Sequence, residues 1–202
     1  MTKATERLHL TPERMRTIVT AGALALFAAV ALPARASQAL VPAQSEIAFT
    51  STQMGVPVDG RFRRFDAQVD FDPKKPETAK IALAIDLASV SIGTAETAAE
   101  LAKPDWFSTK SFPRATFQAT AVKPTGPGKF DVGGKLTIKS ISRDVVVPVT
   151  IAQAAGLTTA SAAFSIKRLD FRIGEGDWKD TSMVADPVQV KFKLVLSGVA
   201  PI

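Results

Sequence analysis

From residue 47 to the C-terminus, apolar and polar residues alternate with a period of two, and this restricts the fold more than any other feature of the chain. In the last run Val188, Val190, Phe192, Leu194 and Leu196 alternate with Gln189, Lys191, Lys193 and Val195. Successive side chains of a strand point to opposite faces, so such a run is a half-buried antiparallel strand. Similar runs cover 47–52, 58–71, 80–89, 116–123, 129–138, 144–151 and 158–167, and eight strands are predicted. Short polar, Gly or Pro breaks at 72–76, 124–128, 139–142 and 155–156 favour hairpins between them. Two connections differ. Residues 94–103 are rich in helix formers, with Thr94 placed as a cap and Pro104 just beyond, which predicts a short surface helix. The stretch 171–187 contains Gly174-Glu175-Gly176-Asp177-Trp178 and is too long for a tight turn, so it reads as a lip or lid.

Eight antiparallel strands joined mostly in sequence remove their exposed edges by closing into an up-and-down barrel; a two-sheet sandwich is the other arrangement. An eight-stranded barrel either fills its interior or holds one small ligand. Small residues favour the hollow form: Ala82, Ala84 and Ala88, with Asp86, oppose Ile81, Leu83, Ile85 and Leu87; Ala119 and Ala121 follow Phe117; Ala160, Ala162 and Ala163 precede Phe164. Alternation leaves open which face turns inward, and the same alanines would also let the helix or a second subunit approach from outside.

Arg14 and Arg16 precede an uncharged apolar stretch, 18–32, followed by the A-x-A pattern Ala34-Arg35-Ala36. Residues 1–36 are therefore predicted to be a secretory signal, cut after Ala36, leaving one domain over 37–202 in the periplasm. Met15 would start such a signal as well as Met1 does. The apolar stretch is shorter than the roughly 20 residues of a spanning helix, and no later segment replaces it, so no stable anchor is expected. Five of the 25 basic and two of the 19 acidic residues leave with the leader, which lowers the net charge from +6 to +3. The remaining basic residues are interspersed with acids and form no stripe, which argues against nucleic acid as a partner. The single His, His9, also lies in the leader, and the chain has no Cys. That excludes zinc sites of the usual ligands, haem on His or Cys, and Ser-His-Asp or Cys-His catalysis. No cofactor or metal is expected, and only carboxylate and lysine chemistry remains.

Short motifs follow one another along the chain: Ser45-Glu46-Ile47-Ala48-Phe49, Val58-Asp59-Gly60-Arg61-Phe62, Phe71-Asp72-Pro73, Trp106-Phe107, Phe112-Pro113 with Ala115-Thr116-Phe117, Gly134-Lys135-Leu136-Thr137-Ile138 and Arg168-Leu169-Asp170-Phe171. In their order and spacing the chain resembles the YceI-like family of exported polyisoprenoid-binding proteins. It departs at Met54-Gly55, where many members carry a His before the Gly, and at Arg172, where a Gly commonly follows the Asp-Phe pair. The resemblance implies a lipocalin-like barrel that holds a long isoprenoid or similar amphiphile and has no known catalytic activity.

Burial of an isoprenoid chain gains roughly 25 cal/mol per Å² of apolar area, so shape and a greasy lining suffice to hold one. The candidate lining residues are Phe49, Phe62, Phe65, Phe117, Phe164, Phe171 and Phe192, with Trp106, Phe107, Phe112 and Trp178 near the mouth. Twelve Phe and no Tyr skew the rings away from polar handles. Arg168 and Asp170 are candidates for the gate, as a structural ion pair or as contacts to a head group. Arg61 and Arg63 share a face with Asp59, which reads as solvated surface; with Arg64 they would otherwise meet an anionic head. The expected function is that of a periplasmic carrier for a polyisoprenoid or other long-chain lipid, such as a quinone, a polyprenyl phosphate or a fatty amide. The alternatives are a carboxylate hydrolase using Asp170, Glu175 or Asp177, and a filled structural barrel that forms a homodimer through an Ala-rich face.

Overall fold

The structure, a computed structural model, describes residues 37–202; the expected leader and its cleavage site lie outside them. Within the described residues the alternating runs form one antiparallel sheet of eleven strands. These are β1 (Ala39–Leu40), β2 (Glu46–Gln53), β3 (Val56–Phe62), β4 (Phe65–Asp70), β5 (Lys80–Asp86), β6 (Val90–Ile92), β7 (Arg114–Gly126), β8 (Lys129–Ile138), β9 (Ile141–Ala154), β10 (Leu157–Lys167) and β11 (Pro187–Ser197). The ladder order is β4-β5-β7-β8-β9-β10-β11-β2-β3-β6, and β1 pairs with the end of β11. The sheet twists and curls into a half-barrel.

The expectation of eight strands following one another around the wall is corrected to eleven: one run divides in two, and the short strands β1 and β6 lie outside the expected runs. The run over 58–71 divides at Arg63-Arg64 into β3 and β4, and that over 80–89 is β5 as far as Asp86, where a 3-10 turn, Leu87–Ser89, ends the strand before β6. The second break has a local cause: the Asp86 carboxylate accepts from Ala88 N at 2.9 Å, a cap that starts the turn and ends the strand. Both breaks lie side by side, since β4 pairs with β5 and β3 with β6. They are stitched together by Arg63 N donating to Ser89 O (3.2 Å), Arg64 N to Ser89 Oγ (3.0 Å) and Asp86 N to Arg64 O (3.0 Å). Lower in the wall the Gln38 amide stands in for a strand partner, donating to Phe71 O and accepting from Phe71 N.

The pleat settles which face turns inward. On β5, Ile81, Leu83 and Ile85 face the concave side, and Ala82, Ala84 and Asp86 lie on the other. On β10 the concave side receives Ala160, Phe164 and Ile166. A bulge between Ala119 and Ala121 shifts the phase of β7, so that Phe117 and then Val122 both face in despite their odd spacing. The helix α1 spans Ala95–Leu101, with Thr94 Oγ1 accepting from Thr97 N and Leu101 buried against the sheet end. The long connection after β10 is built from two 3-10 turns, Arg168–Phe171 and Gly176–Lys179.

Candidate functional site

The concave face encloses an elongated cavity of about 200 Å³. Its walls come from β2 to β5 and β7 to β11, running from Ile151 and Leu196 at one end to Leu87, Phe107 and Ile173 at the other. Of 30 lining residues Thr158 alone has a polar side chain, and its hydroxyl accepts from Gln153 Nε2 at 3.0 Å. Glycines opposite rings shape the space. Phe49 lies over its cross-strand partner Gly60 and Phe117 over Gly134; a Cβ at either position would fall 2.3 or 2.5 Å from the ring. The missing side chains let the rings lie against the wall instead of across the bore. Phe62 stacks next to Phe49 with ring centres 5.5 Å apart and reaches Phe107 at 6.0 Å.

One end of the cavity is covered by the long connection, organised by Arg168. This side chain is 1% exposed and donates to five carbonyls: Ala185 O (3.2 Å), Ile173 O (2.8 Å), Gly174 O (3.1 Å), Trp178 O (2.6 Å) and Val184 O (2.7 Å). A buried charge needs such partners, and a guanidinium with five donors is the side chain able to serve five acceptors. Burial lowers its pKa from the ordinary arginine value, and the charge of Asp186 acts in the opposite sense. The cover is latched to the wall by Lys139, in the two-residue β8–β9 turn. Its buried ammonium donates to Pro104 O (2.9 Å) and Arg172 O (2.7 Å) and pairs with Glu175 Oε2 at 3.2 Å. Arg172 holds the other carboxylate oxygen at 2.8 Å. Hydrogen bonds from Arg172, then from Lys139, and their charges hold the Glu175 carboxyl below the usual carboxylate range, against the effect of burial. Gly174 N and Glu175 N both donate to Asp105 O, tying the cover to the segment after α1.

The residues singled out from the sequence divide between these parts. Phe49, Phe62, Phe107, Phe117, Phe164 and Phe192 come together around the cavity. Phe171, 2% exposed, lies in the core under the cover with Trp106 and Trp178, whose rings are 5.3 Å apart, and none of the three lines the cavity. Phe112 is half-buried outside it, and Phe65 borders a separate cleft at the strand breaks. The expected Arg168–Asp170 pair is not formed: the guanidinium is occupied by carbonyls, and Asp170 is exposed. Sequence reasoning missed the aliphatic lining, including Leu83, Val132, Val149 and Leu194, because alternation marks a buried face but does not separate cavity wall from solid core. It also missed Lys139 as the latch. Among the described residues no group of three His, Cys, Asp or Glu stands close enough to hold a metal ion.

The YceI-like domain model matches residues 39–196, nearly all of the described chain. The chain belongs to the YceI-like family. Among solved structures, BcnA of Burkholderia cenocepacia is 45% identical and superposes with a TM-score of 0.75, covering 77% of this chain and 98% of BcnA. The YCEI protein of Campylobacter jejuni is 27% identical with a TM-score of 0.62, over 67% of this chain and 82% of its own. A polyisoprenoid binding domain from Saccharophagus degradans shares the fold at 18% identity and a TM-score of 0.66, over 82% and 99%. A UPF0312 protein of Azotobacter vinelandii is 36% identical over 88 residues, 44% of this chain and 46% of its own length. The match thus spans about half the length of the curated relatives. In this YceI-like chain the family match runs through the half-barrel, the short helix and the cover alike.

Proposed function

We propose that this YceI-like protein binds and carries a long-chain isoprenoid-type lipid in the periplasm, with the curled sheet acting as an up-and-down container whose eight wall positions include two broken strands. The observation that carries the reading is a cavity with a single polar side chain among its 30 lining residues. Such a space offers burial without hydrogen-bond partners, which suits a chain of carbon and hydrogen and penalises sugars, peptides or nucleotides. At about 200 Å³ it is smaller than most pockets for drug-sized ligands, so a slender tail fits better than a fused ring system. The likeness in fold to a polyisoprenoid binding domain supports the same reading. Among the described residues no helix is long and apolar enough to cross a membrane.

The site is one for binding. Of the carboxylates available to a hydrolase, Glu175 is engaged by Lys139 and Arg172 in holding the cover. The open interior likewise favours a ligand over a solid structural barrel. Organic extraction of the purified protein followed by lipid mass spectrometry is expected to release a polyprenyl or similar long-chain species. Recovery of no apolar ligand, together with no uptake of a polyprenyl probe, would overturn the reading.

A further inference from the structure

Resting on the lipid-carrier reading and extending it, we propose that the cleft at the strand breaks is a site for a phosphate-type anionic head whose tail passes Phe62 into the cavity. The cavity has no charged lining residue, so an ionised head drawn inside would lose its hydration with nothing to replace it. It must stop at an opening in the wall. The cleft, about 780 Å³, is such a place. There Pro42 to Ser45 face Phe65 and Asp66, and no backbone hydrogen bond joins the two segments among the described residues. β2 pairs with β3 only from Ile47 onward, and the chain just before β1 meets the chain just after β4 through the Gln38 side chain and the Phe71 backbone. Phe62 belongs to both spaces, with Phe49 and Phe107 beside it on the cavity side.

The charges in this cleft are unequal. Arg61, Arg63, Arg64, Arg114 and Lys193 face Glu46, Asp66 and Asp86. Arg64 is taken by Asp86 at 2.9 Å, and Arg63 donates to Ser91 Oγ at 2.9 Å. Arg61, Arg114 and Lys193 make no ion pair among the described residues, which leaves an excess of cation around an open space. Guanidinium forks match the oxygen spacing of a phosphate and bind it more strongly than a neutral donor does.

The test compares farnesyl phosphate with farnesol, which share one tail, by titration calorimetry at low salt. With the unaltered protein the phosphate is expected to bind at least about tenfold more tightly, the usual gain from charge-assisted hydrogen bonds. In Arg61→Ala/Arg114→Ala that ratio falls towards one, whereas Arg143→Ala on β9 keeps it. Inorganic phosphate alone binds far more weakly than farnesyl phosphate, and Phe62→Ala weakens farnesyl phosphate but not inorganic phosphate. Equal affinity for both lipids, or a ratio surviving in the double variant, overturns the head site while sparing the carrier reading. Inorganic phosphate binding as tightly as farnesyl phosphate makes the cleft a site for the free ion and overturns the link to the cavity. Failure of both lipids to bind overturns the carrier reading and the head site together.

Discussion

Arg168 holds the cover by satisfying five carbonyls that no other side chain reaches together. Arg168→Met leaves those acceptors buried and unpaired, and a loss of about 3 kcal/mol or more in unfolding free energy is expected from urea titration. Arg168→Lys should rescue little, because an ammonium has three donors on one point in place of a planar fork. This role was illegible in the sequence. Backbone acceptors have no residue identity, so the short spacing to Asp170 suggested an ion pair, whereas the true partners come from residues 173 to 185. Gly60 offers a second test at this scale. Gly60→Ala forces a methyl into the Phe49 ring and should cost roughly 1–3 kcal/mol. In the presence of Phe49→Leu the same change should cost clearly less, and additivity in the double-mutant cycle would show that ring contact is not the cause.

At the scale of elements, the latch between the β8–β9 turn and the cover makes a pH-dependent prediction. The Glu175 pKa is lowered in the folded state from an ordinary 4.5, so its contribution is complete above that value. It is lost as pH falls through the lowered folded value, which places loosening of the cover in acid below 4.5 and not near neutrality. Hydrogen exchange at the Gly174 and Glu175 amides, which donate to Asp105 O, should accelerate across that range, and Glu175→Gln should raise the neutral rate and flatten the dependence. The strands themselves were legible, since each run of period two became a strand or a broken pair. Their interruptions were not. The cap from Asp86 to Ala88 N and the bulge at Ala119 are made by single local hydrogen-bond choices, which leave the hydrophobic pattern nearly unchanged. The short helix was visible because Thr94 and the residues after it satisfy capping and propensity at once.

For the molecule as a whole, the cavity is the quantity to alter. Ala160 lines it from β10 opposite Leu194 and Ile151, and Ala160→Phe should occupy the bore. Affinity for a polyprenol probe is expected to fall at least about tenfold, while thermal stability shifts by only a few degrees. A variant that binds as before would place the lipid elsewhere. Conversely, saturating the unaltered protein at about 100 times Kd should stabilise it by roughly 2.7 kcal/mol, visible as a raised melting temperature. The greasy interior was anticipated from the surplus of Phe, and six of the eleven aromatic candidates do line it. The remainder cap or flank it, because ring content reports burial and carries no information about which buried rings face empty space.

The wall holds a single hydroxyl, on Thr158, and no charged side chain to fasten a cargo at a chosen depth. Beyond any head held at the cleft, a hydrocarbon tail along this wall meets nearly the same surroundings one carbon further in, so the wall itself sets no register for it. Under the proposed function, loading and unloading would resemble drawing a thread through a greased sleeve, with tails of many lengths using the same route.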